Sequence, residues 1–491
     1  MPPRRRGVGQ GTVTVADRSR GATITHPAGL RALFLTELWE RFAYYGMRGL
    51  LVLYLIDTTT GGLGWSQERA SRLYGWFIGL VYLSPVLGGW LGDRYLGTAR
   101  SLVAGGLLLS AGYFVLSLSH GGAAFYLGLA LIVLGGGFFK PNGYTMVGQL
   151  YRPADPRRDS GFTVYYMAIN VGALLGPLAC AWLAAAPGYG WSYGFAAAGV
   201  AMTLGLGFYL WARRTLLRGV GLPPPRRRDT PAPARPGPLQ LSRDELDRVI
   251  AVAIITVFVV FFWLAFEQAG SSLNVFAAQR TDRVIEGWLG GALPGGEIPA
   301  AWFLAINPLF ILLLAPLMAA LWRRLGPRAP STPAKMALGL TLLGLAYLFV
   351  VAGAARSDAG TRVTPWFLIA FYFVYSCGEL CFLPVGISFV SQAAPARLAS
   401  RLMGAWLTAN FAANLIGGYV AGMVQRIERG EVFRILGGQA DFFLIFVVSC
   451  LLAGGLLGLL VPTLRRLMGD RMQPRAEFAS VHAAPPPRSR R

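Results

Sequence analysis

The sequence predicts an all-α integral membrane protein with twelve transmembrane helices in two six-helix bundles. Three observations carry this. Of 491 residues, 54% are hydrophobic and 14% charged, against about 25% charged in an ordinary soluble domain. The apolar residues gather in runs close to the roughly 20 residues that a spanning helix needs. A polar segment rich in Pro and Arg, 213–246, then divides those runs six and six. The composition argues against both a soluble enzyme and a disordered chain.

The elements follow in order. A polar tail over 1–28 opens MPPRRRGVGQ, and no short apolar segment with a small-residue cleavage site precedes the first run, so no cleaved signal is expected. The first bundle, 29–212, takes the spans 30–56, 70–92, 99–119, 123–151, 160–185 and 190–212. The linker, 213–246, has the core LPPPRRRDTPAPARPGP, whose repeated prolines favour extended, solvated chain. The second bundle, 247–466, takes 248–279, 300–323, 335–355, 364–393, 400–424 and 441–464, and a tail over 467–491 closes the chain. The 63 glycines suit close-packed membrane helices. Cys180, Cys377, Cys381 and Cys450 lie inside apolar runs and read as small structural residues, implying neither disulfide nor zinc.

Net charge is +22. Arg94, Arg100, Arg152, Arg157, Arg158, Arg323, Arg324, Arg328, Arg397 and Arg401 fall in one set of connections, with the linker and both tails. The opposite connections, GGAA near 122 and APGYGW near 188, carry no charge. The positive-inside rule therefore puts both termini in the cytoplasm. A lipid bilayer, not nucleic acid, is the partner that this basic charge implies.

An ionisable side chain near the bilayer centre costs ~2.5–3.5 kcal/mol on insertion scales. This chain places seven in its spans: Glu37, Glu40, Arg41, Arg48, Lys140, Glu267 and Glu379. Such a number, spread over both halves, points to a functional polar cavity rather than to structural ion pairs. In the first span Glu37, Arg41, Tyr44 and Arg48 share one helical face, flanked by Glu40 and Tyr45. Lys140 and Lys335 are the two lysines among 45 basic residues. A lysine can lose its proton where an arginine cannot, so Lys140 reads as selected. Its surroundings, LGGGFFKPNG, lack the GK[ST] ending of a phosphate-binding loop, and a nucleotide site is rejected. Asn170, Asn307 and Tyr82 accompany these charges as candidate cavity residues, and Pro384 is expected to break the helix that carries Glu379.

These residues sit in motifs that resemble the proton-dependent oligopeptide transporter family of the major facilitator superfamily. ELWERFAYYGMR is similar to the family's ExxERFxYYG signature, and FTVYYMAINVGALLGP to its fifth-helix signature. GGWLGDRYLGTAR resembles the superfamily loop motif, with Asp93 and Arg94 in place. KP at 140–141, FEQ at 266–268, NP at 307–308, GELCFLPVG at 378–386 and MGAW at 403–406 follow in the family's order. The similarity covers nearly all of 30–465. It implies the major facilitator fold and proton-coupled uptake of di- and tripeptides by alternating access, with a transporter acting as a monomer and no cofactor.

The resemblance also implies roles. Glu37, Glu40, Arg41, Lys140 and Glu267 would couple protons, Glu267 as the partner of Arg48 across an outer gate. Arg48 and Lys140 would attract a peptide's carboxylate, while Glu379, Asn170 and Asn307 would hold its α-ammonium. Tyr44, Tyr45, Tyr82 and Trp406 would shape side-chain pockets. Two features depart from the family pattern. The linker leaves no room for the two extra helices of many bacterial members. His26, His120 and His482 lie in tails or at helix ends, so a histidine relay like that suspected in animal members is absent. The alternatives are the same fold carrying nitrate or a peptide-like drug, and a multidrug exporter. Nitrate has no ammonium to meet Glu379. A membrane enzyme is disfavoured by the lack of HExxH, GxSxG or a polar Cys/His pair.

Overall fold

A computed structural model of the chain describes residues 25–152, 155–222, 241–291, 293–393 and 398–468. Most of the expected tails, the core of the linker and Arg397 lie outside these residues. The first half forms α1 (Ala28–Ile56), α2 (Gln67–Leu91), α3 (Thr98–Leu118), α4 (Gly122–Gln149), α5 (Arg158–Ala185) and α6 (Trp191–Thr215). In the second half, α7 has two pieces, Arg243–Phe266 and Ser272–Gln279, joined by a tighter turn at Glu267–Gly270. It is followed by α8 (Ile306–Leu325), entered through a tight turn at Ala300–Ala305, then α9 (Thr332–Asp358), α10 (Trp366–Ala393), α11 (Ala399–Gly422) and α12 (Gln439–Met468). No strand forms among the described residues; two isolated bridges pair Thr281 with Val363 and Val284 with Glu297.

Ten of these helices are long and apolar enough to cross a membrane by composition. The other two, α1 and α11, are as long but more polar. Both ends of the expected linker are helical, because α6 runs on to Thr215 and α7 begins at Arg243. The start of α7 is fixed by a reciprocal cap: the Glu245 N–H donates to Ser242 Oγ at 3.3 Å, and the Ser242 N–H donates to the Glu245 carboxylate at 3.0 Å. Pro384 does not break its helix, since α10 continues to Ala393. In a packed bundle a proline removes one backbone bond without ending the helix.

The chain between α6 and α7 defines a linker side. The connections at 57–66, 119–121, 186–190, 280–299, 359–365 and 423–438 lie on the opposite, far side. In the second half these far-side connections do carry charge, part of it in ion pairs. Arg280 meets Glu428, Arg283 meets Glu297 at 2.7 Å, and Arg426 and Arg429 meet Glu431 at 3.5 and 3.6 Å. Arg94 is exposed near the rings of Trp90 and Tyr95, and the side chain of Asp93 lies outside the described set.

Each bundle buries its own apolar core, and the cores meet mainly through far-side residues. Val275, Ala301 and Leu304 belong to the second half yet pack into the core of the first. Helices α2 and α11 cross closely at Gly75 and Gly418. A Cβ at Gly75 would lie 2.7 Å from the Asn414 carbonyl oxygen and 2.8 Å from Gly418 Cα. Farther along the far half of α1, Asn274 of the second α7 piece meets the Gly49 carbonyl, and Trp302 in the turn before α8 meets the Leu178 carbonyl in the far half of α5. The bundles are therefore closed against each other on the far side.

Candidate functional site

The polar face of α1 builds two layers. In the lower one the guanidinium of Arg41 sits between two carboxylates, with Nε 2.9 Å from Glu37 and 2.5 Å from Glu40. Both approaches are charge contacts without hydrogen-bond geometry: neither Arg41 Nε nor either Glu40 oxygen has a hydrogen-bond partner. Glu37 also accepts a 2.5 Å hydrogen bond from the Tyr165 hydroxyl of α5. All three α1 side chains are buried. One cation between two carboxylates leaves the layer one negative charge in excess.

Lys140 of α4 balances that excess from a distance. Its Nζ lies 4.4 Å from the Tyr44 ring centre and 5.6 Å from that of Tyr82, a cation–π setting. Among the described residues no carboxylate lies within ion-pair distance of it. Tyr44 stands on α1 between Arg41 and Arg48, and Tyr82 reaches Glu267 of the other layer, so Lys140 lies between the two layers. Tyr44 is buried under it with its hydroxyl unpartnered.

The upper layer lies two turns along α1, roughly 10 Å away at 1.5 Å per residue. Here Arg48 donates to Glu267 of the opposite bundle at 2.6 Å and, through Nε, to the Tyr74 hydroxyl of α2 at 2.7 Å. The Tyr82 hydroxyl donates to the second Glu267 oxygen at 3.3 Å. The break in α7 at Glu267–Gly270 makes this approach possible. A Cβ at Gly270 would collide with the Tyr74 hydroxyl and lie 2.9 Å from Arg48 Nε.

Beside this pair lies a cavity of about 150 Å³, lined by Tyr45, Arg48, Tyr82 and Asn170 from the first bundle and by Asn307 and Glu379 from the second. Asn307 Nδ2 donates to Glu379 at 2.8 Å and to Ser376 Oγ at 3.0 Å. Asn170 Nδ2 is turned back to the Tyr166 carbonyl at 3.1 Å. Glu379 is buried, and among the described residues no cation lies within ion-pair distance of it. The cavity therefore holds an engaged cation on one wall and a carboxylate without a counter-ion on the other. Aromatic side chains, including Trp263, Tyr166 and Tyr372, close it.

Three expected residues do not line this cavity. Lys140 and Tyr44 lie between the layers. Trp406 is buried in the core of the second bundle and packs over Gly386, so it does not shape a pocket here. Several residues that line or hold the site were not singled out in the sequence. Tyr165 and Tyr166 stand inside the fifth-helix signature, Ser376 lies three residues before Glu379, and Trp263 lies one turn before Glu267. Helical spacing from the charged residues finds these. Tyr74 carries no such signal, because its role depends on how α2 packs against α1.

The chain matches the model of the POT family over residues 99–217 and 239–435. It is 35% identical to an uncharacterized transporter, YclF, of Bacillus subtilis, covering 90% of this chain and 95% of that protein. It is 31% identical to dipeptide and tripeptide permease A of Escherichia coli, covering 93% and 96%. Among solved structures, a mutant of a POT peptide transporter in complex with alafosfalin superposes with a TM-score of 0.79 at 32% identity, covering 91% of this chain and 97% of that one.

Proposed function

We propose that this chain, which belongs to the POT family, is a proton-coupled symporter that imports di- and tripeptides by alternating access. The observation that carries the reading is the charge layout of the cavity. Arg48 of one bundle and the counter-ion-free Glu379 of the other face the same space. A peptide zwitterion supplies the two missing partners. Its carboxylate competes with Glu267 for Arg48, and its α-ammonium meets Glu379 and the oxygen of Asn307. Binding then ties the two bundles together through the substrate.

Protons enter through the carboxylates that hold the cations. Protonating Glu267 removes its charge and frees Arg48 for the substrate. Glu37 and Glu40 share Arg41 and feel Lys140, so a proton gained at Glu40 changes the balance of the whole lower layer. Lys140 takes part as a second proton carrier and attracts the incoming carboxylate. Tyr45 and Tyr82 shape the side-chain space. No cofactor and no bond-making step belong to the cycle; the proton gradient supplies the work. The basic connections set the linker side and both termini in the cytoplasm, in the inner membrane. The far-side closure is then an inward-facing state, and one copy of the chain holds a complete site.

Uptake of labelled di-alanine into proteoliposomes, with an inward proton gradient and with or without an uncoupler, tests the proposal. Concentrative uptake that the uncoupler abolishes is expected. Uptake indifferent to the gradient, or competed by nitrate and not by dipeptides, overturns it.

A further inference from the structure

The far-side closure rests on more than the Arg48–Glu267 pair. Asn274, in the second piece of α7, is 1% exposed and donates through Nδ2 to the Gly49 carbonyl of α1 at 2.8 Å. Trp302, in the turn entering α8, donates through Nε1 to the Leu178 carbonyl of α5 at 2.9 Å. Both bonds cross from the second bundle to the first. Each donor is followed or preceded by an apolar residue seated in the first bundle's core: Val275 beside Asn274, and Ala301 beside Trp302. Ala301 also reaches Gly49, where an added Cβ would lie 3.2 Å from the alanine's own. The two crossings thus form one patch around the far end of α1.

We propose that Asn274 and Trp302 are positioning residues for alternating access, forming a charge-neutral latch that holds the far side closed independently of the Arg48–Glu267 pair. Neither donor titrates, and both acceptors are backbone carbonyls, so protons do not act on the latch directly. The latch and the ion pair lie on different pieces of α7 and share no bond. Glu267 lies on the near side of Ser271, whose backbone leaves the helical range at φ −119° and ψ −98°, and Asn274 lies beyond it. The break is pinned by Gln268, which donates to the Leu264 and Gly417 carbonyls and accepts from the Ser271 and Ser272 hydroxyls. Losing the ion pair therefore leaves the second piece of α7 attached to α1. The far side opens in two steps, one sensitive to protons and one not.

The latch is also poised to release. Asn274 Oδ1 is buried without a partner in the closed state. Opening the far side exposes that oxygen to water together with the Nδ2–H and the Gly49 carbonyl. Water then replaces the lost bond and relieves the unpaired atom, which keeps the closed state from becoming a trap.

The inference rests on the alternating-access reading, but its test does not depend on the substrate. Spin labels at His120→Cys and Ile435→Cys, exposed far-side positions on the two bundles, report far-side separation by pulsed dipolar spectroscopy, in a background with the native cysteines replaced. Asn274→Leu keeps the side-chain volume and Trp302→Phe keeps an aromatic ring; each deletes one cross-bundle donor. Trp302→Phe is expected to raise the open-to-closed ratio by roughly 2- to 12-fold, the range for one neutral hydrogen bond, and Asn274→Leu, which also removes the unpaired oxygen, to raise it by less; each acts by the same factor at pH 5 and pH 8. The titratable groups around Glu267 are Arg48, Tyr44 and Tyr45 from α1, Tyr74 and Tyr82 from α2, Lys140 from α4, and Tyr375 and Glu379 from α10. Glu267→Gln removes the proton-sensitive step alone, and adding Asn274→Leu to it should multiply the two shifts. Should Asn274→Leu fail to fold, Trp302→Phe decides the matter by itself. Distance distributions identical to the parent's in the folded latch variants, or a latch effect confined to one pH, overturn the proposal. Failure of di-alanine uptake in the parent protein instead strikes the transport reading and leaves the latch measurement standing.

Discussion

Gly270→Ala tests the outer gate with a single methyl group. Gly270 sits at the end of the turn that breaks α7, against side chains of the other bundle. The new Cβ would collide with the Tyr74 hydroxyl, lie 2.8 Å from Tyr74 Cζ and lie 2.9 Å from Arg48 Nε. Tyr74 is a rigid ring at 2% exposure and cannot swing out into solvent. The methyl therefore displaces Tyr74 from Arg48 and disturbs the Arg48–Glu267 approach. Overpacking costs about 1–3 kcal/mol, and losing a hydrogen bond to a charged group about 1.5–3 kcal/mol. The strain exists only while the bundles touch here, so it falls on the far-side-closed state alone. A combined penalty of about 2.5–6 kcal/mol changes the closed-to-open ratio by about 10²–10⁴-fold. In proteoliposomes, proton-driven di-alanine uptake should fall at least tenfold, because the carrier rests open on the far side. Tyr74→Phe removes the worst of these contacts but keeps Cζ and forfeits the Arg48 hydrogen bond, so combined with Gly270→Ala it should restore only a part of the uptake. Wild-type uptake in Gly270→Ala, or no rescue in the double variant, refutes the gate geometry.

Four further outcomes are expected. Tyr165→Phe deletes the 2.5 Å hydrogen bond to Glu37, worth about 1.5–3 kcal/mol, and should shift the pH profile of uptake while leaving uncoupled peptide exchange in place; an unchanged profile removes Tyr165 from the coupling layer. Lys140→Arg keeps the charge but not the ability to release a proton, so gradient-driven uptake should drop nearly as far as in Lys140→Ala, and wild-type uptake makes Lys140 a fixed countercharge. In Glu379→Gln the free dipeptide should weaken by roughly 10- to 150-fold and its advantage over the N-acetylated form should shrink; a constant ratio in competition assays sinks the ammonium role. Asp57, at the far end of α1, is pushed up by burial, but hydrogen bonds from Thr60, Thr59 and Trp191 outweigh this and hold its carboxyl well below the usual range. A depressed carboxyl stabilises the fold above its unfolded pKa and loses that contribution as pH falls through the folded one. Asp57→Asn should thus lower Tm at neutral pH, with the gap narrowing below about pH 4; a gap that widens with acid contradicts the sign.

The twelve helices were legible in the sequence because each spanning helix must bury its own backbone polar groups in hydrocarbon. That demand writes an apolar run for every helix, whatever it packs against. The polar face of α1 was legible for the same reason: a charge within such a run is costly, so Glu37, Glu40, Arg41, Arg48, Lys140, Glu267 and Glu379 stand out one by one. Partnership is a different matter. Arg48 and Glu267 are 219 residues apart, and their pairing was expected only through the family resemblance, since nothing in the chain's own pattern fixes which carboxylate faces which cation. The sequence suggested a lysine beside the peptide site, whereas packing sets Lys140 over the Tyr44 ring and leaves Glu379 without a counter-ion. MGAW suggested a pocket tryptophan, yet α11 turns Trp406 into the core of its own bundle. Asn274 and Trp302 were invisible beforehand, because a buried amide and an indole look alike in sequence whether they bind their own bundle or its neighbour. The solvent dictates which residues become helix, and that is local. Which bundle's carbonyl a donor meets depends on how two nearly independent cores dock, and that is decided only by the tertiary structure.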